Sequence, residues 1–340
     1  PSLREDEAVL ATWRQLLDSG TLQRDEPELA GTARPPVARI GADAARRLGL
    51  ADGDRLTVSG VELPPLHGLP MTHKDTHQTK GMRTTQGSLV FKENVPAEDD
   101  LIVARLRAAG VVATGKTNVP EFGAGSHTFN EVFGTTTNPY APSLSAGGSS
   151  GGVAAAIAAG IQPLGEGSDM GGSLRIPASF CNVAGFRPSY GVIPMPAPNN
   201  AWAWLGRTGP MAREISDIAL FMSAVAGPSR KLPTPAPLDG KAFAGVFDGD
   251  LRGVRIGWSP DFGIGIPVEP AVLEVLQRQL RVFEEAGAIV EEATPDFSEA
   301  DQVFRGGEEA ASRQRERHRA PRGGRLRRRL RAWGPWRRVR

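Results

Sequence analysis

Two glycine-serine clusters, Gly147-Gly148-Ser149-Ser150-Gly151-Gly152 and Gly165-Glu166-Gly167-Ser168-Asp169-Met170-Gly171-Gly172-Ser173-Leu174-Arg175, restrict this chain more than any other feature of its sequence. Glycine reaches backbone conformations closed to other residues, so each cluster predicts a tight loop. The Ala-rich run Val153 to Ala159 behind the first cluster predicts a helix whose unpaired N–H groups face that loop. Such a loop would suit a phosphate, yet no lysine follows its last glycine and no G-x-G-x-x-G fingerprint is present. The second cluster sets successive backbone N–H groups beside a serine. That is the requirement of an oxyanion hole, whose donors must come within about 3 Å of the developing charge.

A serine hydroxyl is a poor nucleophile until a neighbouring base takes its proton. The five histidines, His67, His73, His77, His127 and His318, include none in a G-x-S-x-G elbow. The remaining candidate base is Lys74, at the end of the strand-like run Leu69-Pro70-Met71-Thr72-His73-Lys74-Asp75. Burial there would depress its pKa and leave it neutral enough to accept a proton. His73 and His77 have the spacing of metal ligands on a helix, but the segment reads as strand and loop without a carboxylate set, so no metal is expected. Cys181 is the single cysteine, which excludes an internal disulfide, and its apolar context predicts a small buried filler.

Three segments are expected. Residues 1–60 read as a small barrel-like or irregular unit, with a short helix at Asp43–Leu48 and a strand at Arg55–Val58. Residues 61–311 alternate helices and short strands, the pattern of an α/β layer fold. Helices are predicted after Asp99 or Asp100 with Gly110 as the stop, from Ser216 to Gly227-Pro228, and from Pro270 to Ala286. Strands are predicted at Val111–Ala113 and Ala288–Glu291. Residues 312–340 are Arg-, Gly- and Pro-rich and are expected to be disordered. Residues 313–340 hold thirteen Arg and one Glu, so the formal charge of +2 combines a basic tail with a body of about −10.

The motifs as a set resemble the amidase signature family. The resemblance is carried by Pro65-Leu66-His67-Gly68-Leu69-Pro70 through Lys74-Asp75, by Gly115-Lys116-Thr117-Asn118-Val119-Pro120-Glu121-Phe122, by the GGSSGG run, and by Ser168 to Ser173. It covers residues from about 65 to 305, and the family's spacing of twenty-four residues between its two serines is that of Ser149 and Ser173. It implies a mixed central β-sheet flanked by helices on both faces, here C-terminally truncated. It also implies that Ser173 is the acylated nucleophile, Ser149 a relay serine on a cis peptide bond, and Lys74 the base. Oxyanion donors would be the backbone N–H groups of Met170, Gly171, Gly172 and Ser173. Ser150 and Ser168 would orient Lys74, and Asp169 and Arg175 would brace the nucleophile loop. Ala38 to Ser59 separately resembles a fragment of the barrel that closes molybdopterin oxidoreductases.

The activity so implied is hydrolysis of a small-molecule carboxamide without a cofactor. The alternatives are the amide-cleaving subunit of a glutamine-dependent aminoacyl-tRNA amidotransferase, or an inactive remnant or binding protein. No run of eighteen apolar residues and no signal-peptide pattern is present, so a cytoplasmic protein without a membrane partner is expected. The basic tail reads as solvated rather than as a nucleic-acid contact, and a homodimer stays open. Lys116, Asn118 and Glu121 read as structural hydrogen bonders, while Trp202 and Trp204 fit a pocket wall or plain packing equally well.

Overall fold

A computed structural model describes residue 46 and residues 63–196, 203–233, 236–245 and 250–306. The expected strand at Arg55–Val58, the barrel-like segment as a whole, Trp202 and the stretch 312–340 lie outside the described residues; of the expected helix at 43–48 only Arg46 is described, and it is helical. The chain divides into two compact units between Gly245 and Val246.

In the first unit, strand β1 (Pro70–Lys74), helix α1 (Leu101–Ala108) and strand β2 (Val112–Thr117) form a β-α-β crossover. The strands pair in parallel from Pro70 opposite Val112 to Lys74 opposite Thr117, with a register shift between Met71 and Thr72. Ile102, Val103 and Leu106, spaced for one helix face, are buried. Asp100 occupies the N-cap position of α1 but makes no capping bond. Its carboxylate accepts the N–H of Gln78 at 2.8 Å, and that of Asp99 accepts the N–H of Lys80 at 2.7 Å, so both acids pin the loop after β1.

A short hairpin, β3 (Phe129–Asn130) with β4 (Gly134–Thr135), precedes helix α2 (Gly151–Ala158). Strand β5 (Leu164–Asp169), helix α3 (Arg175–Phe180), strand β6 (Ala184–Gly185), strand β7 (Arg207–Ala212) and helix α4 (Ile215–Val225) follow. β7 lies between β5 and β6 and pairs antiparallel with both. Parallel and antiparallel pairings thus coexist, as a mixed α/β fold requires.

One apolar cluster joins α1 and α4 to the strands through Met71, Leu106, Leu164, Ala212, Phe221 and Met222. Full burial of Phe221 or Met222 contributes roughly 1.5–3 kcal/mol each. A second cluster packs Val153, Ala154 and Ile157 of α2 with Leu174, Ala178 and Met211. Cys181 belongs to it as the expected filler, its thiol pushed up to about 11 by burial.

The second unit contains β8 (Arg255–Trp258), α5 (Pro270–Glu285) and β9 (Ile289–Glu292), another parallel β-α-β arrangement. Pro270 opens α5, where its missing N–H costs nothing. Among the described residues, no helix is long and apolar enough to cross a membrane.

Candidate active site

Lys74 ends β1 and is entirely buried. Its Nζ donates to Ser149 Oγ at 2.7 Å, Ser150 Oγ at 2.8 Å and Ser168 Oγ at 2.9 Å. Ser149 and Ser150 stand at the entrance of α2 and Ser168 lies on β5, so three elements converge on one amine. Burial lowers the Lys74 pKa from its ordinary 10.5 to about 7, against the opposing pull of Asp169 and Glu166. Near neutral pH the amine is therefore a usable base. The Gly148–Ser149 peptide is cis, as the family resemblance implies.

The second loop is organised around Asp169, whose side chain is completely buried. Arg175 donates Nε to Oδ2 at 3.0 Å and Nη2 to Oδ1 at 3.1 Å. Backbone N–H groups of Gly172 and Leu174 reach the same carboxylate at 2.8 and 3.2 Å. Burial opposes the charged form, but these donors outweigh it and hold the carboxyl at about 2. Gly172 itself sits at φ +112°, a conformation that lets the chain turn sharply into Ser173.

Ser173 is half-buried, and its carbonyl accepts the N–H of Ser150 at 3.1 Å, which ties the two loops together. Among the described residues its Oγ makes no hydrogen bond, and the same holds for the N–H groups of Met170, Gly171 and Ser173. The N–H of Gly172, expected in the oxyanion set, is instead engaged by Asp169.

Lys116, Asn118 and Glu121 all make structural bonds. Lys116 Nζ reaches His77 O and Thr79 Oγ1, Asn118 bridges to Thr136 and Asn130, and Glu121 accepts from Ser88. His73 and His77 diverge to different partners, Glu166 and Asp100, and no cluster of three or more metal-ligating side chains occurs among the described residues. Trp204 is 55% exposed.

Three features escaped the sequence reading. Arg187 supplies a second guanidinium to Asp169, at 3.0 Å from Oδ1. Asp75, buried, clasps the loop after β1 through the N–H and hydroxyl of Thr85. Glu166 pairs with His73 inside the core. An acid between two glycines, Gly165-Glu166-Gly167, directly after the apolar Leu164 was the available signal for the last of these.

A sequence profile of the family described as Amidase matches residues 38–317, a range that takes in the Ala38–Ser59 stretch. The acylamidase of Rhodococcus erythropolis is 40% identical over 247 residues, which are 73% of this chain and 52% of that protein. A subunit of the glutamyl-tRNA(Gln) amidotransferase of Heliobacterium modesticaldum is 38% identical over 86% of this chain and 58% of its own length. The chain thus spans about half the length of the curated relatives it matches. Among solved structures, a bacterial aryl acylamidase of the amidase signature enzymes aligns with TM-score 0.64 and 27% identity, over 85% of this chain and 54% of that one. The corresponding glutamyl-tRNA(Gln) amidotransferase subunit from Thermotoga maritima aligns with TM-score 0.66 and 31% identity, over 77% and 58%.

Proposed function

Because the chain belongs to the amidase signature family, whose members cleave C–N bonds, we propose that it hydrolyses a small-molecule carboxamide through an acyl-enzyme on Ser173. The observation that carries this reading is the fully buried Lys74 amine, 2.7 Å from Ser149 Oγ and titrating near neutrality. Neutral Lys74 takes the proton of Ser149 as Ser149 takes that of Ser173. Ser173 Oγ then bonds to the amide carbon, and the carbonyl electrons move onto oxygen. The N–H groups of Met170, Gly171 and Ser173 would receive that charge, with Gly172 serving the Asp169 brace instead. The proton returns along the same hydroxyls to the leaving nitrogen, without which an amine departs poorly. Water attacks the acyl-enzyme by the same relay and releases the acid. Ser150 and Ser168 orient the amine, and Asp169 with Arg175 holds the loop in shape. The scheme needs no cofactor, and a cytoplasmic setting belongs to the same reading.

Covalent labelling by a fluorophosphonate probe tests this reading. Ser173→Ala should abolish labelling, and Lys74→Ala should slow it by about 10²–10⁴-fold, the usual worth of a general base. Full-rate labelling of either variant refutes the assignment, and an unlabelled wild-type chain favours an inactive remnant.

The relatives support a second reading, the glutamine-cleaving subunit of an amidotransferase. Turnover of simple acyl amides by the isolated chain selects the first reading, and glutamine turnover only in a complex selects the second.

A further inference from the structure

Beneath Lys74 lies a buried histidine–carboxylate pair that the hydrolytic scheme does not use. His73 and Glu166 are both fully buried, with Nδ1 and Oε1 3.0 Å apart. The same Oε1 accepts the backbone N–H of Lys74 at 2.9 Å. Strand geometry explains why an acceptor is needed there. Beside β2, the N–H of Asp75 reaches Thr117 O at 3.1 Å. Alternate N–H groups of a strand point the opposite way, so those of Thr72 and Lys74 leave the β1–β2 ladder. Side chains meet them: Gln162 Oε1 takes the N–H of Thr72 at 2.9 Å, and Glu166 takes that of Lys74.

At Thr72 a neutral amide does the work, whereas at Lys74 a carboxylate does it, although burying a charge is costly unless it is paired and hydrogen-bonded. Oε2 of Glu166 and Nε2 of His73 have no hydrogen-bond partner, so the contact between the two side chains is the single Nδ1–Oε1 hydrogen bond. Burial disfavours the Glu166 charge, but His73, together with His77 and a backbone hydrogen bond, outweighs burial and pulls the Glu166 pKa below its ordinary value.

We propose that Glu166 is a positioning residue that fixes the backbone of Lys74 and, through its negative charge, sets the pH at which the Lys74 amine becomes free to act as base. This rests on the reading of Lys74 as the base. The other titratable groups facing the pair are His77 beyond β1, Lys116 on β2, and Asp169 on β5, which acts on Lys74 in the same sense as Glu166.

The experiment is the pH dependence of the fluorophosphonate labelling rate in the wild-type chain and two variants. Glu166→Gln keeps an acceptor for the Lys74 N–H but loses the charge, so the midpoint of the rate should fall by about 1 pH unit, the scale of a nearby opposite charge. Glu166→Asp keeps the charge but retreats from that N–H, so its midpoint should stay within about 0.3 of the wild-type value while its plateau rate drops. An unmoved midpoint in Glu166→Gln overturns the proposal. Should that variant not fold, an undiminished plateau in Glu166→Asp overturns it equally. Labelling that persists in Ser173→Ala sinks the underlying site assignment instead, so the two failures are distinguishable.

Discussion

Replacing Lys74 by methionine would turn the buried amine into a measurable slope of stability against pH. In the folded chain the amine titrates at about 7, and in the unfolded chain at its ordinary 10.5. Between these values the unfolded state binds the extra proton, so wild-type stability rises with pH across this window and is lowest below about 7, where the folded chain must bury an ammonium. At about 1.4 kcal/mol per pH unit, the fall from 10.5 to about 7 amounts to about 5 kcal/mol. Lys74→Met has no such proton. It also removes the three hydroxyl contacts, but that loss is the same at every pH. The diagnostic is therefore the difference in unfolding free energy between the two proteins from urea titrations at pH 6, 7, 8, 9 and 10. It should change by about 1.4 kcal/mol per unit above pH 7, in favour of the wild type as pH rises, and level off below. A difference that is flat from pH 7 to pH 10 would refute a depressed Lys74.

Asp169 behaves in the opposite sense: its carboxyl falls from 3.8 to about 2 in the folded chain, so its stabilisation is complete above about 4 and lost as pH drops through 2. Asp169→Asn should remove that acid-side dependence and abolish fluorophosphonate labelling, both read on one purified sample. Gly167→Ala would place a Cβ 2.6 Å from Ser150 Oγ and 2.7 Å from Leu174 Cδ2. It should cost about 1–3 kcal/mol in urea unfolding and slow labelling by displacing Ser150 from Lys74; wild-type values in both assays would show that the site tolerates the methyl.

Much of the site was legible without coordinates. The glycine-serine loops, the lysine at the end of a strand and the order of motifs named Lys74, Ser149, Ser150, Ser168, Asp169 and Ser173; hydrogen bonds join the first four, whereas Asp169 belongs to the Arg175 clasp and Ser173 Oγ bonds to none of them. The predicted helices that became α1, α2, α4 and α5 came within one or two residues of their expected bounds, because an apolar period such as that of Ile102, Val103 and Leu106 is a local property, whereas the short α3 was not predicted. The N-cap assignment was less secure: Asp99 and Asp100 stand where capping acids belong, yet their carboxylates bind the loop after β1.

What the sequence determined by itself is chemical identity and local geometry: which groups could be nucleophile, relay and base, and where the chain must turn. Only the tertiary structure decided how those groups behave. Residues 75, 76 and 94 positions away from Lys74 deliver its three hydroxyls, Arg187 joins the Asp169 clasp, and that clasp takes the Gly172 N–H that the family resemblance assigned to an oxyanion. The physical reason is that backbone preferences arise between near neighbours, whereas desolvation and charge depend on everything packed around a group, so the basicity of Lys74 exists only once the fold has closed over it.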